Sequence, residues 1–407
     1  MHSPIAAEAT FGDADRSAAG ARLPKLAYVG DVPVERSVGG MLLLYRLFQG
    51  YPANRLLVLQ SPPARTDLRL PGVRYERLFA RLYRPLRSRF RAPAIACLLL
   101  LSGILGRLVA RRLRRESVEA IVTVTHDVSW SVAAAAADRL GVPLHVINHD
   151  YWKGMLSLPP FMLRWVERRF TAVYGGATSR LCVSPCMEEH YRAQYHAAGT
   201  VLYPGRGPDA AREDAGAPLL ERSAFTVGYA GSLNVGEFVQ ALKVVADCLG
   251  EVGGRLVVFS PNPAEWIRRQ GLDGANVLLG GQKRVDEIIP ALKQACDALI
   301  LPMSSGMGLN VMLSFPSKLV DYTSTGLPIV IVGPAECSAV RWARERNVGI
   351  VVNENDEQGL RAAIARLAAD AGYARTVGDA LQRAGEADFS YDATAGMLLR
   401  RLARTAA

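Results

Sequence analysis

Residues 315–333, FPSKLVDYTSTGLPIVIVG, constrain the fold of this chain more than any other segment. Pro316 and Ser317 suit a first helical turn, and Gly326 suits the left-handed residue that ends a helix. Leu327 to Val332 is an unbroken apolar run, as expected of a strand buried on both faces of a parallel sheet. The helix also carries Lys318 and Asp321 on one face near its start, where unpaired backbone N–H groups and the positive dipole end gather. A cation there suits a diphosphate, and the carboxylate suits the hydroxyls of a ribose.

The same alternation runs through the rest of the chain. From Pro24 the order is the strand KLAYVGD, the loop VPVERSVGG, the helix MLLLYRLFQ and, from Arg55, the strand RLLVLQ, which is a βαβ opening. EAIVTVTHD reads as a strand, SVAAAAADRLG as a helix stopped by Gly141, and PLHVINHD as the next strand; SRLCVSP and MEEHYRAQY continue the series. A second series follows: FTVGYAGSL, FVQALKVVADCL, RLVVFSP, NVLLGGQKR, VDEIIPALKQAC and DALILP. The order predicts an α/β protein of two doubly wound, Rossmann-like domains facing across a cleft. We place a disordered tail over 1–22, an N-terminal domain over 23–204, and a Gly- and Pro-rich linker over 205–222. The C-terminal domain spans 223–385, and a final helix over 386–407 packs back on the first domain.

At 407 residues, half of them hydrophobic, the chain can bury the core of two domains. The first twenty residues lack the basic start and apolar core of a secretion signal. Six dispersed cysteines in mostly apolar contexts fit reduced thiols in the cytoplasm. The net charge of +10 is lopsided: between Arg74 and Arg115 there are twelve arginines and one acid, Glu76. They flank Ala94 to Ala110, an apolar run interrupted by Arg107 and short of the roughly 20 residues that span a membrane. A core helix with a solvated basic end and a helix lying on anionic lipid heads both fit this pattern. Nucleic acid is not expected as a partner, because no binding motif accompanies the arginines.

Open α/β sheets bind ligands beyond the carboxyl ends of their strands, so the loops there carry the candidates. Gly39 and Gly40 open the first helix, and bare glycine amides can approach an anion. His126 and His149 end successive strands, each beside an acid, Asp127 and Asp150, which can act as acid, orienting partner or helix cap. Gly231 and Ser232 lie between strand and helix, where backbone donors can face phosphate. Gln282 and Lys283 follow a glycine pair, and Ser304 and Ser305 follow DALILP. Cys182, Cys186 and His190 are spaced by four, but Pro185 separates strand from helix, so core packing is preferred to a metal site. There is no Walker loop, nucleophile elbow or GxGxxG after the first strand.

Asp321, Gly326 and Pro328, with the aromatic Phe315 ahead of them, resemble the motif of the GT-B glycosyltransferases, family 4-like and of group 1 type. The resemblance covers about residues 24 to 385 and implies transfer of a sugar from a nucleotide-diphosphate donor, with retained anomeric configuration and neither metal nor other cofactor. It implies that His126, Asp127 and Lys318 act in catalysis. Donor binding falls to Gly39, Gly40, Gly231, Ser232, Gln282, Lys283, Ser304, Ser305, Phe315, Ser317, Lys318 and Asp321, and acceptor binding to His149 and Asp150.

The chain departs from the pattern at two places. Leu313 stands where the family has a glutamate that touches the donor sugar, and Ser232 and Gly236 stand where it has phosphate-binding cations. Lys318 is the expected compensation, with Arg206 second. The arginine-rich stretch points to a lipid-linked saccharide acceptor and to a cytoplasmic protein attached peripherally at the inner membrane face, in cell-envelope or exopolysaccharide synthesis. A sugar-nucleotide epimerase or hydrolase of the same fold, and a non-catalytic nucleotide-sugar-binding protein, stay open as alternatives.

Overall fold

The structure is a computed structural model that describes residues 23–37, 39–156, 158–208, 224–233 and 236–405. The expected tail over 1–22 and most of the expected linker lie outside the described residues. The apolar runs become strands with every residue buried: β1 (Leu26–Gly30), β2 (Leu56–Gln60), β4 (Ala120–Val124) and β5 (Leu144–Asn148). With β3 (Arg74–Arg77), β6 (Ser179–Cys182) and β7 (Thr200–Val201) they form a seven-stranded parallel sheet in the order β3-β2-β1-β4-β5-β6-β7. A second parallel sheet has six strands, β10-β9-β8-β11-β12-β13. These are β8 (Thr226–Ala230), β9 (Arg255–Phe259), β10 (Val277–Leu279), β11 (Ala298–Pro302), β12 (Ile329–Val332) and β13 (Ile350–Val352). In each sheet the chain reverses its direction of travel beside the first strand, which opens a crevice at the strands' carboxyl ends.

The helix that follows β4, Ser129–Leu140, ends on Gly141 in the left-handed conformation at φ 68°, as its sequence predicts. Its N-terminus is not capped by Asp127. Asp31, just past β1, instead accepts the Val128 and Ser129 amides at 3.1 and 3.0 Å. The apolar run at Ala94 lies within a helix of 25 residues, Arg91–Arg115, which by length and composition could cross a membrane. One face of that helix is core, however. Ile95, Leu98, Leu99, Leu105, Val109 and Leu113 are buried, and Gly106 lies so close to the 129–140 helix that an added Cβ would come within 2.5 Å of Ala135 Cβ.

The C-terminal region forms two helices, Ala371–Phe389 and Tyr391–Thr405, where one was expected. The second leaves the C-terminal sheet and buries Ala395, Leu398 and Leu402 against Leu44, Leu47 and Phe48 of the N-terminal domain's helix Gly40–Phe48. Arg206, at the crossing between domains, is consumed structurally. It donates to the Val320 carbonyl (3.2 Å) and Thr323 Oγ1 (2.7 Å) and pairs with Glu386 at 3.0 Å, so the expected phosphate role does not fit its geometry.

Because Leu398 is fully buried in that seam, Leu398→Ala should cost about 2–5 kcal/mol of stability. Urea unfolding checks this, and a change below about 0.5 kcal/mol would mean that the helix does not dock there in solution.

Candidate functional site

Loops from both sheets enclose a cavity of about 260 Å³. The N-terminal domain supplies Gly39, Gly40, His149 and Asp150, and the C-terminal domain supplies Phe238, Met303, Asn310, Ser314, Phe315, Ser317 and Lys318. Seven of the residues singled out from sequence therefore meet here.

Lys318 is the strongest electrostatic feature of the wall. It belongs to the helix Ser317–Tyr322, whose six residues give only a small dipole. Its Nζ donates to Tyr229 Oη at 2.8 Å and lies 4.7 Å from the Tyr229 ring centre and 5.4 Å from that of Phe238. Burial pushes its pKa down to about 8, and no neighbouring carboxylate opposes the shift.

Gly231 explains how the lysine reaches this place. A Cβ at Gly231 would lie 2.2 Å from Lys318 Cε and 2.5 Å from its Nζ, and the residue has φ 148°. The expected use of the Gly231 amide as a phosphate donor is corrected, because that N–H already donates to the Phe259 carbonyl at 2.9 Å. Ser232 is exposed, and its carbonyl accepts from Tyr229 Oη at 3.0 Å.

Asp321 lies one turn beyond the lysine and outside the cavity wall. Its carboxylate pairs with Arg46 of the N-terminal domain at 2.8 Å, so a ribose would have to displace that guanidinium. Leu313, at the position of the family's glutamate, is buried among apolar side chains, and its carbonyl accepts from Ser184 Oγ. Polar groups near it come from Asn310 and Ser314 instead, whose side chains meet at 3.1 Å. Phe315 lines the cavity but packs mainly with Tyr203, Trp342 and Phe389.

His149 is almost fully buried, both its ring nitrogens lack a hydrogen-bond partner among the described residues, and burial lowers its pKa. Its ring packs against Gly40, where an added Cβ would approach to 3.0 Å. His126 Nδ1 is likewise buried and unpartnered. The ligating atoms of His126, His149 and Asp150 all lie within 4.8 Å of one another, a set that could hold a metal ion. Asp127 faces elsewhere: Arg91 bonds it at 2.7 Å and also bonds the Met155 carbonyl at 2.7 Å.

Besides Gly231, Ser232 and Asp321, four more donor candidates do not line this cavity. Gln282 and Lys283 are exposed at the end of β10, with Lys283 over the Phe259 ring. Ser304 Oγ accepts from the Gly306 amide, and the Ser305 amide donates to Glu354 at 2.8 Å. Sequence reasoning missed Arg46, Asp31, Tyr229, Phe238 and Asn310. Arg46 and Tyr229 lie inside apolar helix and strand patterns that read as core, and no local pattern announces a partner 275 residues away.

Residues 45–205 match the family description "Glycosyl transferase 4-like domain", and residues 224–370 match "Glycosyl transferases group 1". Three solved structures show the same fold. A glycosyltransferase from Rickettsia africae has TM-score 0.69 at 13% identity, over 93% of this chain and 97% of that one. Sucrose-phosphate synthase from Thermosynechococcus elongatus has TM-score 0.65 at 18% identity, over 93% and 98%. HepE from Anabaena, in complex with UDP and glucose, has TM-score 0.62 at 17% identity, over 93% and 99%. A search of curated protein sequences returned no match. The chain has the GT-B fold. It belongs to the group 1, family 4-like glycosyltransferases and transfers sugar from a nucleotide donor.

The closeness of Gly231 to Lys318 gives a direct prediction. Gly231→Ala should displace the ammonium and weaken nucleoside-diphosphate binding about as much as Lys318→Ala, and should also cost stability because its backbone conformation is strained for a side chain. In the wild type, affinity should fall as pH rises through about 8, because the free lysine loses its proton there, by up to about tenfold per pH unit. Lys318→Arg stays charged and should flatten that fall. Calorimetric titration across pH checks all three.

Proposed function

We propose that the diphosphate of the donor rests on Lys318, its ribose on Asp321 and its base against the Gln282 and Lys283 loop, with the sugar in the cavity facing His126 and His149. The observation that carries this reading is an ammonium in a cavity wall whose nearest hydrogen-bond partner is a neutral phenol. A diphosphate would supply the missing negative charge. HepE, which shares the fold, was solved in complex with UDP and glucose, which supports a nucleotide and a sugar as ligands of this fold.

In the transfer, the bond from the sugar's anomeric carbon to the diphosphate oxygen breaks, and its electron pair leaves on the diphosphate. The acceptor hydroxyl oxygen bonds that carbon, and its proton passes to the departing diphosphate. Lys318 stabilises the growing charge, which is the kind of preorganised electrostatic contribution that lowers such barriers most. Domain contact excludes the water that would otherwise hydrolyse the donor. We further propose a retaining outcome with no metal or other cofactor.

Lys318→Ala and Asp321→Ala should each lose about 1.5–3 kcal/mol of nucleotide affinity, or roughly 10- to 100-fold. A thermal-shift panel of nucleotide sugars and nucleoside diphosphates checks this. A shift that survives both substitutions, or no shift with any nucleotide, would refute the donor site.

The acceptor in this proposal is a lipid-linked saccharide, used by a cytoplasmic protein attached at the inner membrane face in envelope or exopolysaccharide assembly. The outer face of the 91–115 helix supports it. Leu100 and Ile104 are 69% and 61% exposed, Leu108 shares their face, and Phe90, just before the helix, is exposed. Arg74, Arg91 and Arg112 are paired with carboxylates, whereas among the described residues no ion pair engages the exposed Arg81, Arg84, Arg107 or Arg111. An apolar stripe beside unpaired arginines suits anionic lipid heads. Leu100→Asp with Ile104→Asp should abolish flotation with anionic vesicles at low ionic strength, and unchanged flotation would refute this surface.

A further inference from the structure

Two histidines and an aspartate converge where β4 and β5 end. The parallel register pairs Val124 with Ile147, so His126 and His149, each two residues further along, leave the sheet side by side, with Asp150 next in the chain. One ligating atom from each of His126, His149 and Asp150 lies within 4.8 Å of the other two. His149 is only 6% exposed, and among the described residues neither of its ring nitrogens has a hydrogen-bond partner; His126 Nδ1 is buried and unpartnered as well. Buried imidazoles ordinarily spend a nitrogen on a neighbour, so three bare nitrogens in one cluster leave ligating capacity unused. Asp150 brings the negative charge, and its Oδ1 is approached at 3.5 Å by Ser314 Oγ, which also meets Asn310 at 3.1 Å.

The donor set selects a kind of ion. Two imidazoles and one carboxylate suit a borderline divalent cation such as zinc, and they match magnesium or calcium poorly, because those ions take oxygen ligands. Ligands placed about 2.0–2.2 Å from a tetrahedral zinc ion stand about 3.4 Å from one another, so this set closes with roughly 1 Å of side-chain movement. Three protein ligands leave a fourth position open. His149 and Asp150 line the larger cavity, which puts that open position on the cavity side.

We infer that His126, His149 and Asp150 form a site for a zinc-like divalent cation in the donor cavity, and that its occupancy excludes the donor sugar. The exclusion rests on the donor reading above, in which the sugar faces His126 and His149. A nitrogen bound to an ion no longer meets a sugar hydroxyl, and the ion with its water fills that end of the cavity. The ion is therefore an inhibitor and not a cofactor, in keeping with a transfer whose developing charge falls to Lys318.

Titration calorimetry of zinc chloride into the chelator-treated full chain, with cobalt(II) absorption spectra of the same protein, tests the site on wild type, His126→Ala and Asp150→Asn. Unchanged melting of the metal-free protein verifies the fold of each variant. The wild type should bind a single ion, and each variant should lose about tenfold or more in affinity. No saturable zinc binding, binding indifferent to both substitutions, or a sulfur-to-cobalt charge-transfer band that puts the ion on a cysteine would each overturn the site. Exclusion is read by adding UDP-glucose, GDP-mannose and ADP-glucose to the cobalt-loaded chain, with UDP, GDP and ADP as controls for simple chelation. At least one nucleotide sugar should release the cobalt at a concentration where its diphosphate does not. Cobalt retained while a nucleotide sugar binds, or released equally by the diphosphates, would overturn exclusion. Absence of any nucleotide binding to the metal-free chain would instead strike the donor reading, with the metal site judged by its own titration.

Discussion

A partly buried positive charge with no carboxylate paired to it among the described residues is the constraint around which this cleft is arranged. Removing an ammonium from water costs several kcal/mol, and a neutral phenol repays only part of that. Lys318 is nevertheless placed there with care: Gly231 vacates the volume its chain needs, Tyr229 fixes its nitrogen, and Phe238 offers the face of a ring. The cost has a sign in pH. The folded lysine gives up its proton near pH 8 and the unfolded one near 10.5, so folding gains stability as pH rises through that interval. At neutral pH the empty site carries the penalty, and an anionic ligand relieves it. Stability is given up locally in exchange for binding.

The two domains are already in contact around this cation. Arg46 reaches across to Asp321, Arg341 grips Glu189 through two bonds of 2.6 Å, and the Tyr151 amide donates to Asn310 at 3.1 Å. The helix Tyr391–Thr405 adds an apolar seam on the far side. Of these ties, Arg46 to Asp321 is the one that a ribose must replace, and both side chains keep partial solvent access. A partly solvated ion pair is worth little on its own, about 1 kcal/mol or less, so exchanging it for a bound nucleotide is inexpensive.

Much of the fold is legible in the sequence because strands buried on both faces leave an unmistakable record. LAYVG, LLVLQ, AIVTV, LHVIN and ALILP are each five residues that water does not reach, and each became a central strand. Edge strands leave no such record: β3 is RYER, half exposed, and nothing local distinguishes it from a charged loop. The site was legible where one segment carries the chemistry, as with Ser317 and Lys318, or where a strand ends in an unusual residue, as with His149. It was illegible where function depends on a partner distant in sequence. Gly231 reads as an amide donor until the structure shows its N–H spent on Phe259 and its missing side chain occupied by a lysine. Asp31 reads as the end of a strand, yet it accepts the first amides of the helix that follows Asp127 and leaves one oxygen free.

The most direct test of the account is a crystal structure of the chain grown with the nucleoside diphosphate that gives the largest thermal shift. The account predicts a phosphate oxygen within hydrogen-bonding distance of Lys318 Nζ, a ribose on Asp321, and Arg46 released from that carboxylate. A nucleotide bound elsewhere, or bound here with Lys318 still on Tyr229 and Arg46 still on Asp321, would contradict it.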